Sequence, residues 1–436
     1  VSVGVSVSHQ VSGGKSTVRI VLLHDSQGKV LALLPSNYLL NLAGVWKHSG
    51  RHLQPVRGAD AERFFGQPAL RHESGLEKLF SLPVFIDMSL SEQRLLTIVE
   101  PHSSLTFHLP AQWLHDKATF SQFALSKEQI AENQPQGDDR AVITQAVEKF
   151  TALRIRQRLE DTLGLPALSP TVQKIVMLRS DPDASVDDLV PVVKVDPSLS
   201  AQVMSWSVSP YYAAPGKVQS IEDAIIRVLG YDLVVNLALG VTLGKTMEVP
   251  DDTPRGSIPY WLQTVYTATL AEKLSKKIPL EIRPNPGLTY LSGLLHNFGY
   301  LVLAHLFPPH FSLLSRYIEA NPHMEASHIE KQVLNVSREQ VGAWLLESWQ
   351  LPEEVCHAVR YQNDVDADSP YITYARLIHL TDRLLREKGL SDGPTGEDLN
   401  GLIQQLGLTP AIVTEVMEAV LAAEDELHEL TQIFAG

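Results

Sequence analysis

The sequence predicts an α+β multidomain protein: a mixed α/β domain over residues 1–125, a linker at 126–140 and an all-α domain over 141–436. Three observations lead there. Short apolar runs rich in β-branched residues crowd the first part, each ended by Gly, Pro, Ser or Asp. Apolar residues recur at three- and four-residue spacings from Ala141 onward. Between the two regimes lies a polar stretch, "SKEQIAENQPQGDDR", with the composition of a connector.

The strand candidates are "STVRIVLLHD", "KVLALLP", "LPVFIDMSL", "RLLTIVEP" and "SLTFHLP". Helices are expected among them at "NYLLNLAGVWKHSG" and "ADAERFFG". In the second part, Ile143, Val147, Phe150 and Leu153 mark one face of a long helix. Helix-start signals recur at "SPTVQKIVML", "SVDDLVPVV", "DPSLSAQVMSW", "SIEDAIIRVLG" and "SREQVGAWLL". Ser185 stands three residues before Asp188, the spacing of a capping box. The last segment, "TPAIVTEVMEAVLAAEDELHELTQIF", reads as one packed amphipathic helix with an acidic outer face.

A chain of 436 residues is long enough for two or three domains. Charge is uneven: residues 1–125 hold 11 Lys/Arg against 9 Asp/Glu, and 126–436 hold 25 against 41. The acidic second part repels phosphate backbones, which argues against nucleic acid as its partner. A single cysteine, Cys356, excludes an internal disulfide and fits a reducing compartment. No run reaches the apolar length of a membrane span, and "VSVGVSVSHQ" lacks the basic start of a signal peptide. The expected location is the cytoplasm.

Two motifs invite a chemical reading. "SGGKST" at 12–17 resembles the end of a phosphate loop, but His9 stands where its first Gly belongs and a strand pattern follows it. It is rejected as a nucleotide site. The second motif is the pair His296-Asn297, set inside the apolar run "YLSGLLHNFGYLVLAHLF". Buried polar groups cost free energy unless they are hydrogen-bonded or ligate something, so the pair is either a working site or what remains of one. His305, His310, His357 and His379 are scattered without metal-ligand spacing, and no "GxSxG" turn supports a nucleophilic triad.

Over roughly residues 160–385 the chain resembles the HDOD domains, degenerate relatives of the HD metal-dependent phosphohydrolases. The ordered segments are "LPALSPTVQKIVMLRSDPDASVDDLVPVVKVDPSLSAQVM", "SIEDAIIRVLG", "YWLQTVYTATLAEKL", "GLLHNFGYLVL" and "VGAWLLESWQLPEEVCHAV". One departure is Val208-Ser209 before "YY", where the family has Asn-Ser. The resemblance implies an all-α HD-like fold and a regulatory role in bacterial signal transduction. It also implies where active relatives would hold two divalent metals through imidazoles and a bridging Asp. Carried onto this sequence, the early His becomes Gln263 and the His-Asp pair becomes His296-Asn297. A further His becomes Arg338, the His pair falls near Tyr361 and Gln362, and the last Asp survives as Asp382. An amide cannot bridge cations, and an arginine puts a fixed positive charge where an imidazole should meet one. No metal and no cofactor are therefore expected. The reading is a pseudoenzyme, with His296 kept as a core histidine and Asp382 as its hydrogen-bond partner.

Residues 59–114 resemble the YbaK/prolyl-tRNA-editing deacylase domains, through "ERFFG", a Gly-containing loop and "LPVFIDMSL". That resemblance implies a functional Lys on an early strand, a position that falls at Arg19, with Lys15 close by. It also implies a Gly-x-x-Pro loop, here altered so that Glu73 precedes Gly75. A small α/β binding or dimerisation domain is the expected role. The whole chain is thus expected to be a non-catalytic regulatory or scaffold module of a signalling pathway, acting through protein or ligand binding with protein partners. The alternatives are a residual metal-dependent phosphohydrolase and an aminoacyl-tRNA editing deacylase.

Overall fold

The computed structural model describes residues 4–7, 17–100, 105–110, 112, 118–132, 138–150, 168–181, 183–208, 212 and 218–435. The segment "SGGKS", with Lys15, lies outside them, as does most of the long helix expected beyond Phe150. The chain divides into two compact units, neither continuous in sequence. One comprises Val1–Pro135, Asp252–Ser257 and Pro309–Val333; the other comprises Gln136–Asp251, Ile258–Pro308 and Leu334–Gly436.

The first unit is a mixed sheet with helices. Its strands are β1 (Gly4–Val7), β2 (Thr17–Asp25), β3 (Gly28–Pro35), β4 (Leu39–Leu40), β5 (Gln54–Pro55), β6 (Val84–Asp87), β7 (Leu95–Glu100), β8 (Leu105–Pro110), β9 (Ala118–Ser121) and β10 (Ala124–Leu125). Eight of them form one sheet in the order β1-β8-β7-β2-β3-β6-β9, with β5 added on β2; β4 and β10 pair separately. β2 and β3 are an antiparallel hairpin, from Val18 opposite Pro35 to Asp25 opposite Gly28. The turn needs Gly28, whose φ of 125° few side chains tolerate. The parallel pairings β2–β7, β3–β6 and β6–β9 bury strands on both faces, which is why β2 and β3 read as near-continuous apolar runs. Phe65, Leu76, Leu79 and Phe80 cover one face of the sheet, packed on Ile20, Leu33, Ile86, Ile98 and Phe107.

Several expectations are corrected. The helix expected over 37–50 starts only at Leu42, because Leu39–Leu40 is a strand and the Asn41 side chain caps the helix by accepting from the Gly44 amide at 3.2 Å. The polar 126–140 stretch contains a helix, Lys127–Glu132. Ser126 and Gln129 cap it reciprocally, at 3.2 and 2.9 Å. A second helix, Asp139–Phe150, begins inside the same stretch. The final segment forms two helices, Pro410–Leu421 and Glu424–Ala435, divided where the Ala423 amide bonds back to Val420 in a tighter turn.

The described part of the second unit is built of helices. The capping box expected at Ser185 is present, with Asp188 accepting from the Ser185 amide at 2.9 Å. Two helices, Tyr260–Ser275 and Pro286–Leu295, approach so closely that a Cβ on Gly293 would lie 2.4 Å from the Ala268 Cα. Phe298–Leu306 approaches Arg338–Ser348 in the same way: a Cβ on Gly299 would lie 1.8 Å from the Arg338 carbonyl oxygen. No single helix among the described residues is long and apolar enough to cross a membrane.

Candidate functional site

The apolar run carrying the His-Asn pair is not one helix. It breaks at the pair, with Pro286–Leu295 before it and Phe298–Leu306 after it. Asn297 leaves helical geometry at φ −103° and ψ 13°. The two glycines flanking the break let both halves press backbone to backbone against neighbouring helices. His296 and Asn297 are thereby fixed at a buried junction, 5% and 8% exposed.

Around that junction the structure gathers Gln263, Arg338, Gln362 and Asp382. Gln263, Gln362 and Asp382 are buried, and Arg338 is half-buried. His296 Nδ1 lies 2.7 Å from the Gly293 carbonyl, so that nitrogen carries the proton and Nε2 holds the lone pair. Arg338 donates to the Asn297 side-chain oxygen at 2.7 Å, and its guanidinium lies 5.0 Å from the Tyr300 ring centre. Gln362 Nε2 donates to the His296 and Val359 carbonyls at 2.8 and 3.0 Å. Tyr361, the neighbouring position, ends helix Glu353–Tyr361, where its ring meets that of His357.

The expected bond between His296 and Asp382 is not made. Asp382 accepts instead from Arg383 at 2.7 Å, Arg386 at 2.8 Å and the Ser391 hydroxyl at 2.6 Å. Its lone pairs face the guanidiniums of its own helix, and His296 senses it only through space. Burial pushes the Asp382 carboxyl up, but Arg386 and Arg383 prevail and hold it below the usual range. Burial also pushes the His296 imidazole down, against the attraction of Asp382, so His296 is held toward the neutral form.

These residues do not fit a dinuclear metal centre. Where the HD resemblance expects a bridging carboxylate, Asn297 offers an amide bonded to Arg338, and Asp382 is engaged by two guanidiniums and a hydroxyl. Among the described residues no group of three or more His, Cys, Asp or Glu could hold a metal ion. Arginine side chains stand where divalent cations would compete for the same oxygens. What the arrangement offers is a hydrogen-bonding surface of fixed donors, suited to binding and orientation.

Several contributors escaped the sequence reading. His379, which has no metal-ligand spacing in the sequence, lies with Nδ1 2.6 Å from the Gln362 carbonyl and Nε2 2.8 Å from Glu397. Arg383 reaches Glu397 and Asn363, at 2.8 and 3.0 Å. Ser391 and Asp392 engage Gln263. Arg386 could have been found, because it stands one helical turn from Asp382. The loop residues carry no such signal.

In the first unit, Arg19 and Gly75 are apart in role. Arg19, on β2, is buried and donates to the Ala320 carbonyl at 2.6 Å, to Asn321 Oδ1 at 3.0 Å and to the Tyr38 carbonyl at 3.4 Å. Burial lowers its guanidinium to about 9. Gly75 lies in helix Glu73–Leu79, and a Cβ there would fall 1.9 Å from the Ala69 carbonyl oxygen. Asp87 of "FIDMSL" accepts from the Phe123 and Ala124 amides at 2.7 Å each and so pins β10 to the sheet.

The HDOD domain model matches residues 165–365. Over its whole length the chain is similar to a protein of Marinobacter aquaeolei VT8 whose crystal structure bears the name "Putative signal transduction protein". The two are 38% identical with a TM-score of 0.86, covering 100% of this chain and 96% of that one. An HDOD domain protein with unknown function from Geobacter sulfurreducens shares the fold at 22% identity and a TM-score of 0.54, covering 68% of this chain and 99% of its own. A curated relative, an uncharacterized protein of Treponema pallidum (strain Nichols), is 24% identical over 238 residues, 54% of this chain. The chain spans 44% of that relative's length.

Proposed function

Because the chain belongs to the HDOD family, we propose that it is a non-catalytic regulatory or scaffold module of a signal transduction pathway, working in the cytoplasm through protein or ligand contacts. One observation carries this reading: Arg338 donating to Asn297 at 2.7 Å. A guanidinium bonded to an amide stands where phosphohydrolase chemistry needs an imidazole and a bridging carboxylate. Asp382, still ionised but engaged by Arg383 and Arg386, supports the same reading. Its partners are proteins of the pathway. For the first unit we favour binding or dimerisation over aminoacyl-tRNA deacylation, because both terminal nitrogens of the Arg19 guanidinium are engaged by Ala320, Asn321 and Tyr38.

The test is metal reconstitution of the full chain with Mn, Fe or Mg, followed by metal analysis and assay against an activated phosphodiester. The expected result is substoichiometric metal and no turnover above the metal-only blank. Turnover that requires metal and is lost in Asp382→Asn overturns the reading in favour of a residual phosphohydrolase.

A further inference from the structure

We propose that residues 390–397 form a displaceable strap that stands in for a small ligand bearing two oxyanion groups, and that such a ligand takes the strap's place to switch the module. This rests on the regulatory reading above and names the ligand class of that same polar core. The strap, "LSDGPTGE", joins helix Ile372–Arg386 to helix Asn400–Gln405 and lays its oxygens on groups of the core. Asp392 accepts from Gln263 Nε2 at 2.9 Å and from the Ile258 amide at 3.0 Å. Glu397 accepts from Arg383 Nε at 2.8 Å and meets His379 Nε2 at 2.8 Å. Asp392 thus lies in a two-donor cradle, and Glu397 lies between the Arg383 guanidinium and the His379 ring. Ser391 adds a hydroxyl to Asp382, and the Pro394 carbonyl accepts from Arg386 at 3.4 Å.

The strap is held by polar contacts. From Ser391 to Glu397 it has no large apolar side chain, and only Ser391 is buried. Segments with few buried apolar contacts open at low cost. Gly389, Gly393 and Gly396 all have positive φ, at 69°, 134° and 86°, so the joints at its ends and middle are glycines. The groups it satisfies include three oxyanion receptors: the side-chain N–H donors of Gln263 and Arg383 and the Ile258 backbone amide. When the strap leaves, its two carboxylates leave with it, while Asp382 stays against Arg383 and Arg386. A ligand that replaces the strap must therefore supply two anionic oxygen groups, as phosphates or as carboxylates.

The full-length protein is titrated calorimetrically with inorganic pyrophosphate and, separately, with succinate. The same titrations are run on Asp392→Asn/Glu397→Gln and on a charge-matched control, Glu418→Gln/Glu429→Gln. The expected result is weak binding of one anion to the wild type and binding tighter by about tenfold or more in the strap variant, where the internal competitor is weakened. The control should match wild type, and the bound anion should raise hydrogen exchange across 389–398. Which anion binds separates a phosphate source from a carboxylate one. The proposal is overturned if neither anion binds any of the proteins at millimolar concentration. It is equally overturned if the strap variant binds no tighter than wild type, or no tighter than the control. None of these outcomes touches the non-catalytic reading, which falls only to metal-dependent turnover.

Discussion

Asp382 is buried between two guanidiniums and a hydroxyl, and this explains how a carboxylate persists in the polar core without a cation from outside. Taking a charge out of water is costly, and Arg383, Arg386 and Ser391 offset that cost with short hydrogen bonds. Asp382→Asn removes the negative charge and leaves two guanidiniums facing each other. We expect it to lower stability by about 3–5 kcal/mol in urea unfolding near neutral pH. The pH dependence has a definite sign. The folded carboxyl is held below its unfolded value, so its contribution is full above the unfolded pKa, about 4, and is lost as pH falls through the folded pKa. The gap between wild type and Asp382→Asn should therefore narrow on acidification below about pH 4; a constant gap would contradict this account. At this scale the identity of the polar residues was legible from order and spacing, but their pairing was not. The sequence suggests His296 as the partner of Asp382, whereas its bonds go to its own helix and to Ser391, nine residues on in a loop.

At the scale of elements, the motif "GLLHNFGYL" works through its glycines as much as through its polar pair. Gly293 and Gly299 let two successive helices meet their neighbours at backbone distance, and His296-Asn297 occupies the break between them. A Cβ on Gly299 would lie 1.8 Å from the Arg338 carbonyl oxygen, so Gly299→Ala forces the helices Phe298–Leu306 and Arg338–Ser348 apart. We expect a loss of about 1–3 kcal/mol, with the Arg338–Asn297 hydrogen bond weakened because both partners ride on those helices. Gly401→Ala is the matched comparison: nothing lies within 4 Å of its Cβ, and thermal melts should show little change or a small gain. Periodicity and caps made most helices legible. The break at the pair was not, because an apolar run reads alike whether it is one buried helix or two meeting at an angle.

At the scale of the whole chain, the compact units cross the sequence boundaries. Pro309–Val333 lies within the span matched by the HDOD model yet belongs to the unit of the sheet. Arg19 explains part of this. Its guanidinium binds the carbonyl of Ala320, the last residue of helix Pro308–Ala320, where the helix dipole is negative. Asn321 joins in, accepting from the Leu40 amide at 2.7 Å, and Tyr317 donates to Asn41 at 2.8 Å. A fragment of residues 1–135 therefore leaves several buried polar groups unmade, each costing about 1–3 kcal/mol. We expect that fragment to lack cooperative urea unfolding and dispersed amide NMR signals, whereas the full chain shows both. A cooperative transition in the fragment would remove the role assigned to Arg19.

Composition, periodicity and motif order were enough for the mixed α/β domain, the helical domain after it and the HDOD resemblance, because these depend on patterns local along the chain. The chemical types of the polar residues were equally plain, since the amide of Asn297, the guanidinium of Arg338 and the carboxylate of Asp382 are each read at a single position. The tertiary structure alone decided which donor meets which acceptor: Arg338 with Asn297, Asp382 with Ser391, Asp392 with Gln263, Arg19 with Ala320. Those pairs are separated by 9 to 301 residues, and no local preference encodes them. They form because packing brings the groups together out of water, where an unmade hydrogen bond costs more than it does in the unfolded chain.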